Sequence, residues 1–196
     1  MPRKLIRPDR RAEIPAHIQR VAQYLFQSHG YGHVTMEQIA DQAAVSKRTL
    51  YKYFPVKETL LERVLEEQLA KDLAQQNFRI DSQASFSSSV LHLLHRSAQW
   101  CEQHTDYLLP YIRHKFATFD SGATPEKDKG LLPVWQMLIA AGQERGELRA
   151  DRPAEQLGTY FHYLYLGALM RWLTEPRLDL HQEFDMVVAL FVDGAG

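Results

Sequence analysis

A single cysteine, Cys101, is the only thiol in the chain. It excludes an intrachain disulfide, and no Cys/His spacing of the zinc-binding kind accompanies it. Equally missing is any run approaching the roughly 18 to 20 apolar residues that a membrane span needs. The N-terminus, MPRKLIRPDRRAEI, is charged and has no apolar stretch of the signal-peptide type. No membrane partner is therefore expected, and the cytoplasm is the expected location. No segment alternates apolar and polar residues long enough to make a strand. A glycine-rich phosphate loop, an HExxH motif and an ordered Ser/His/Asp set are all lacking, so no enzyme, no metal and no cofactor is expected. Among nine histidines, the pair His92/His95 shares a helix face, but no acidic third ligand lies at the next turn. Cys101, beside Trp100 on an apolar face, reads as a small buried hydrophobe.

What is present is enough for a folded core. With 196 residues, 45% hydrophobic and 24% charged, the chain can build one sizeable core or two small ones sharing a helix. The net charge of −1 conceals an asymmetry. Residues 1–63 carry 11 Lys/Arg against 6 Asp/Glu, and the remainder 12 against 18. An anion-seeking surface is expected on the N-terminal third and not elsewhere.

Residues 1–12 form a basic arm, equally readable as a frayed terminus or as a grip on phosphate or minor groove. From Glu13, the positions Ile14, Ile18, Val21, Ala22, Leu25 and Phe26 repeat at three and four, which predicts a helix to about His29 with Gly30 closing it. Thr35 and Gln38 form a capping-box pattern for a second helix, with Met36, Ile39, Ala40 and Ala43 inward. Ser46 caps a third, which Pro55 ends. Lys57–Gln76 reads as a long connector helix. Beyond it, Ile80–Ser89 is expected to be a Ser-rich loop running into a helix that buries Phe86, Val90, Leu93, Leu94, Ser97, Trp100 and Cys101. A helix from about Asp106 carries Pro110. The segment 120–130 is a polar loop in which Thr124-Pro125-Glu126 can start another helix. Helices over Leu131–Arg145, closed by Gly146, over Pro153–Thr174, opened by Asp151, and over Asp179–Val192 complete an all-α fold of about nine helices.

The stretch IADQAAVSKRTLYKYFPVK, residues 39–57, holds the clearest chemistry. A small-residue turn joins two short helices, and on the second Val45, Leu50 and Phe54 face inward. Lys47, Arg48, Thr49, Tyr51, Lys52 and Tyr53 are left outward, the arrangement of a helix-turn-helix whose second helix enters the major groove. Lys47, Lys52 and Lys57 can neutralise phosphates, Thr35 and Thr49 can donate to phosphate oxygens, and Arg48 suits bidentate contact with guanine.

Residues 14–61 resemble the N-terminal domain of TetR-type transcriptional regulators. The family pattern IA-x-x-AGVS-x-x-TLY-x-x-F-x-x-K-x-x-L is met by GHVTMEQIADQAAVSKRTLYKYFPVKETLL. The resemblance implies that Thr35 and Lys57 clamp phosphates from the starts of their helices, that residues 47–53 form the recognition helix, and that Tyr51 lies at the DNA. Two departures stand out. Ala44 replaces the usual turn glycine, and Val56 replaces the Ser before Lys57, a helix cap worth about 1 kcal/mol.

The domain expectation is thus residues 1–12 as arm, 13–57 as helix-turn-helix domain, and 58–196 as regulatory and dimerisation domain with 58–76 connecting. The resemblance implies that the second domain is a helical dimer with a ligand cavity. Trp100, His104, Tyr107, Tyr111, His114, Phe116, Trp135, Met137, Phe161 and Tyr165 offer aromatic walls for an apolar or aromatic effector, and each is equally readable as plain helical core. Gly158, Phe161, Tyr165, Gly167, Ala168, Trp172, Val188 and Phe191 are the expected dimer contacts, with small residues permitting close approach, the alternative being a core helix within the chain. The expected function is a homodimeric repressor, released from a double-stranded pseudo-palindromic operator by a small molecule. Two alternatives stand beside it: a DNA-binding protein that is architectural or governed by protein partners, and an enzyme with a helix-turn-helix scaffold.

Overall fold

The computed structural model describes residues 10–75, 84–117 and 130–195, and all regular structure among them is helical. The chain divides between Gln68 and Leu69 into two compact units.

The first unit begins with α1, Arg10–His29, so the end of the expected arm is already helix. Residues 1–9 lie outside the described part. Ile18, Ala22, Leu25 and Phe26 form its buried stripe, as the spacing of three and four requires. Gly30 stops it at φ 78° and ψ 143°, a conformation that a side chain would strain. A 3-10 turn, Tyr31–His33, leads to α2, Met36–Gln42, and then to α3, Lys47–Tyr53. Helix α4, Lys57–Gln75, follows. Its Leu60, Leu61 and Val64 are buried, which contributes about 1.5–3 kcal/mol for each side chain. The Gln19 amide donates to the Arg63 carbonyl at 2.8 Å and to the Glu67 carboxylate at 2.5 Å, and the Gln23 amide to Gln68 at 3.2 Å. These bonds carry the first unit on to Gln68, well past residue 57.

The second unit contains α5, Phe86–Gln103; α6, Thr105–Ala117; α7, Leu132–Glu144; α8, Ala154–Thr174; and α9, Leu180–Ala195. Ser87, Ser88 and Ser89, expected in a loop, are helical because Ser85 caps α5, its hydroxyl accepting from the Ser88 N–H at 3.2 Å. Serine at a cap competes for backbone donors and so starts a helix it would weaken inside. Pro110 lies within α6. Gly146 closes α7 at φ 72°, with Glu147 N–H bonded to the Gly142 carbonyl and Gly146 N–H to that of Gln143, the Schellman pattern. Asp151, expected to open α8, instead pairs with Arg149 at 2.5 Å, and the residue before the helix is Pro153. Asp179 caps α9, accepting from the Gln182 N–H at 3.1 Å.

Helix α8 packs on α7 and α9, and α9 packs on α5. Between them lie the rings of Phe86, Trp135, Phe161, Phe184 and Phe191, each almost wholly buried. Phe161 meets Phe191 at 5.0 Å and Trp135 at 5.1 Å, both edge-on. The expected helix start at Thr124-Pro125-Glu126 and the stretch from Ile80 to Gln83 fall outside the described residues.

Candidate nucleic-acid interface and regulatory core

The helix-turn-helix is built by three successive backbone devices. At Thr35 the capping box is complete: Oγ1 accepts from the Gln38 N–H at 3.2 Å, and the Gln38 side chain accepts from the Thr35 N–H at 2.8 Å. Helix α2 then ends in a Schellman turn, with Val45 N–H bonded to the Ala40 carbonyl at 3.0 Å and Ala44 N–H to that of Asp41 at 3.1 Å. Ala44 takes φ 51° there, so the position does demand the left-handed conformation that glycine adopts freely. Ser46 starts α3, its Oγ accepting from the Thr49 N–H at 3.1 Å and lying 2.8 Å from Thr49 Oγ1.

Leu50 and Phe54 anchor α3, at 0% and 4% exposure. Their burial sets the rotation of the helix, and Lys47, Arg48, Tyr51 and Lys52 are consequently exposed. Thr49 and Tyr53 are half-buried, as is Val45, and Val56 is exposed. Lys47 Nζ lies 3.3 Å from Glu37 Oε1 in an open ion pair. The Glu37 carboxyl is held below its ordinary range by a backbone N–H and then by Lys47. An exposed pair of this kind is easily exchanged for a phosphate. Lys57 is different. Its ammonium is half-buried and engaged with the Tyr31 carbonyl and ring inside the unit.

The expected pocket residues separate by depth. Trp135, Phe161, Tyr107 and Tyr165 are buried. Trp100, His104, Tyr111 and His114 are half-buried, with Trp100 stacked on His104 at 4.3 Å. Met137 and Phe116 are exposed, at 45% and 43%. Met137 follows Trp135 by two residues, which turns it to another side of α7, so it is no wall of an interior cavity.

Some buried polar atoms among the described residues stand out. Trp135 Nε1 and Ser97 Oγ meet nothing with hydrogen-bond geometry. Ser97, the Tyr165 hydroxyl and the Cys101 thiol nevertheless lie close enough to one another to interact. Burial pushes the Cys101 thiol up to about 12 and the Tyr165 hydroxyl well above its ordinary value. Among the described residues His162 is the only buried polar or charged side chain. No group of three His, Cys, Asp or Glu in the described residues is placed to hold a metal ion. His95 bonds Asp185 at 2.7 Å and packs 4.9 Å from the ring of His181, while His92 is exposed.

Most of the expected dimer contacts are interior. Phe161, Tyr165, Ala168, Val188 and Phe191 belong to the chain's own core, and Trp172 packs half-buried against it. Gly158 serves close approach within the chain: a Cβ there would lie 2.6 Å from Gln136 Cγ and 3.2 Å from its backbone. Gly167 alone faces open space. The exposed apolar residues of α8 are Tyr160, Tyr163, Leu164 and Met170, and those of α9 are Met186 and Leu190.

A helix-turn-helix unit with a basic, aromatic second helix, followed by an all-helical unit with an apolar core, defines a helical two-domain regulator. Residues 18–64 match the family model described as bacterial regulatory proteins, tetR family. Over those residues the chain is similar to TetR-type transcriptional regulators, which are non-enzymatic DNA-binding proteins, and over its length it shares the helical fold of solved regulators of that family. A protein of Mycobacterium tuberculosis carrying the name mycofactocin biosynthesis transcriptional regulator MftR is 39% identical over 51 residues, 26% of each chain. The Thermus thermophilus FadR, a TetR family transcriptional repressor solved with lauroyl-CoA, is similar with a TM-score of 0.68 and 25% identity, over 92% of this chain and 94% of that one. RolR, solved with resorcinol, has a TM-score of 0.70 at 19% identity, over 97% and 91%. No described helix is long and apolar enough to cross a membrane.

Proposed function

We propose that this protein is a homodimeric transcriptional repressor that leaves a pseudo-palindromic operator when a small molecule binds its second domain. The observation that carries the DNA reading is the rotation of α3. Leu50 and Phe54 hold it so that Arg48, Tyr51 and the lysines at 47 and 52 present donors, cations and a ring to whatever lies outside. This is the set that reads base edges and neutralises phosphates. Such a regulator works in the cytoplasm, where the DNA is.

The dimer reading rests on α8 and α9. Tyr160, Tyr163, Leu164, Gly167 and Met170 recur at spacings of three and four, and Met186 and Leu190 lie one turn apart, all on parts of these helices that the chain's own core leaves open. An apolar stripe of this size on a water-soluble helix is the mark of a partner. A dimer of this kind reads a two-fold operator whose half-sites lie on successive major grooves, about 34–36 Å apart.

The effector reading rests on the unpartnered Trp135 N–H in a described core without a buried Lys, Arg, Asp or Glu. A buried donor left unpaired is destabilising by about 1–3 kcal/mol. The ligand that relieves it brings a hydrogen-bond acceptor and no net charge to this core, on an apolar or aromatic frame. Binding that favours one conformer lowers DNA affinity by linkage. Selection of bound duplexes from a randomised pool tests the reading directly. An enriched inverted repeat with half-sites one helical turn apart is expected, and a pool that stays random would overturn it.

A further inference from the structure

Helices α2 and α3 bring one carboxylate against the cations of the candidate DNA-reading surface. Glu37 lies in the first turn of α2, and Lys47 is the first residue of α3. Glu37 Oε1 lies 3.3 Å from Lys47 Nζ, and the two side chains are 47% and 62% exposed. The pair therefore stands in solvent, beside the exposed Arg48, Tyr51 and Lys52 of α3. Asp41, the other acidic residue of the two helices, is at the far end of α2.

The Glu37 carboxylate has a second donor. Its own backbone N–H, one of those that the first turn of a helix leaves without an intrahelical acceptor, does most to hold its pKa below the ordinary range, and Lys47 comes next. Glu37 is thus an anion that engages one backbone donor and one ammonium. A DNA phosphate seeks the same two kinds of donor. Before Lys47 can neutralise a phosphate it must release Glu37, and the released carboxylate then repels the strand. An exposed pair shifts an equilibrium by no more than about fivefold, so the contact weakens DNA binding without preventing it.

We propose that Glu37 is an intramolecular competitor for phosphate at Lys47, lessening the grip of the chain on DNA of any sequence. The proposal rests on the DNA-binding reading, and its test separates the two. Two duplexes serve as probes: the one that the full chain enriches from a randomised pool, and one of random sequence. Their affinities are measured against KCl concentration for the parent chain, Glu37→Gln, Glu37→Ala, Lys47→Met and the double variant Glu37→Gln/Lys47→Met. Both positions are exposed, and circular dichroism checks that each variant is folded.

Glu37→Gln is expected to tighten binding to both duplexes by the same factor, about two- to fivefold at low salt, with the slope of log affinity against log salt steeper by up to about 0.9. Glu37→Ala should gain likewise, which rules out a new contact made by the amide. In the Lys47→Met background most of the gain should disappear. Unchanged binding in Glu37→Gln would make the pair a bystander and overturn the proposal. Weaker binding would do the same, since Glu37 would then hold Lys47 in place for DNA. A change on the enriched duplex alone would assign Glu37 to a base, and a full gain without Lys47 would leave plain repulsion with no competition. Should the alanine variant lose helix, Glu37→Gln and the double variant still decide. If the parent chain enriches no duplex and binds neither probe, the DNA-binding reading fails first and this proposal with it.

Discussion

Ala44 holds φ 51° in the turn between α2 and α3, where a methyl group meets the following carbonyl and glycine meets nothing. Ala44→Gly relieves that strain, at roughly 1–2 kcal/mol, against a loss of up to about 1 kcal/mol from the greater freedom of the unfolded glycine chain. The expected result is a melting temperature raised by a few degrees, and a lowered one would show that the turn tolerates alanine without cost. Cys101 offers a second residue-scale test. Its thiol is buried and pushed up from the ordinary 9 to about 12, so the folded chain keeps a proton that the unfolded chain releases. Stability should therefore fall as pH rises from about 9 towards 12, and Cys101, the only thiol, should resist a disulfide reagent at pH 8 until the protein unfolds. Rapid labelling of the native chain would contradict this burial.

At the scale of elements, the caps were the most legible features and the helix faces the least. Thr35/Gln38, Ser46, Gly30 and Gly146 act locally, through bonds to residues three to five positions away, so the residue types alone announce them. Helix α8 is apolar almost all round. Phe161, Tyr165 and Ala168 in one phase and Tyr160, Leu164 and Met170 in the other are equally good stripes on paper, and only packing against α7 and α9 decides which is core. That is why the expected dimer contacts fell inside. Ser87–Ser89 failed as a loop for a related reason, since a serine run signals a helix start and a helix break alike. Gly158 gives this packing a sharp test: Gly158→Ala places a methyl group 2.6 Å from Gln136 Cγ and 3.2 Å from its backbone. A loss of about 1–3 kcal/mol from overpacking is expected in chemical denaturation, and an unchanged midpoint would mean that α7 and α8 can move apart freely.

For the whole molecule, the exposed apolar side chains predict association. Leu164→Glu with Leu190→Lys should convert the dimer to a monomer by sedimentation while leaving the helical circular dichroism intact, because both positions are exposed within the chain. A dimer that survives both charges would move the interface elsewhere. The same variant should lose operator affinity, since each half-site would then be bound alone. The fold class and the extent and inner face of α3 were open to sequence reasoning because both depend on local pattern. Which residues would line a pocket was not, because depth in a helical core is decided by partners far along the chain: Trp135 and Met137 are two positions apart, yet one is 1% and the other 45% exposed.

Helix α3 spans seven residues, fewer than an isolated helix needs to persist in water. Its shape is lent to it by Ser46 at one end and by Leu50 and Phe54 beneath. Because those three residues are distinct from Arg48, Tyr51 and Lys52, that exposed set can be exchanged while the support stays the same. On the proposed DNA-binding reading, descendants of this chain can acquire new genomic addresses through substitutions at Arg48, Tyr51 and Lys52, with no need to reinvent the domain that carries them.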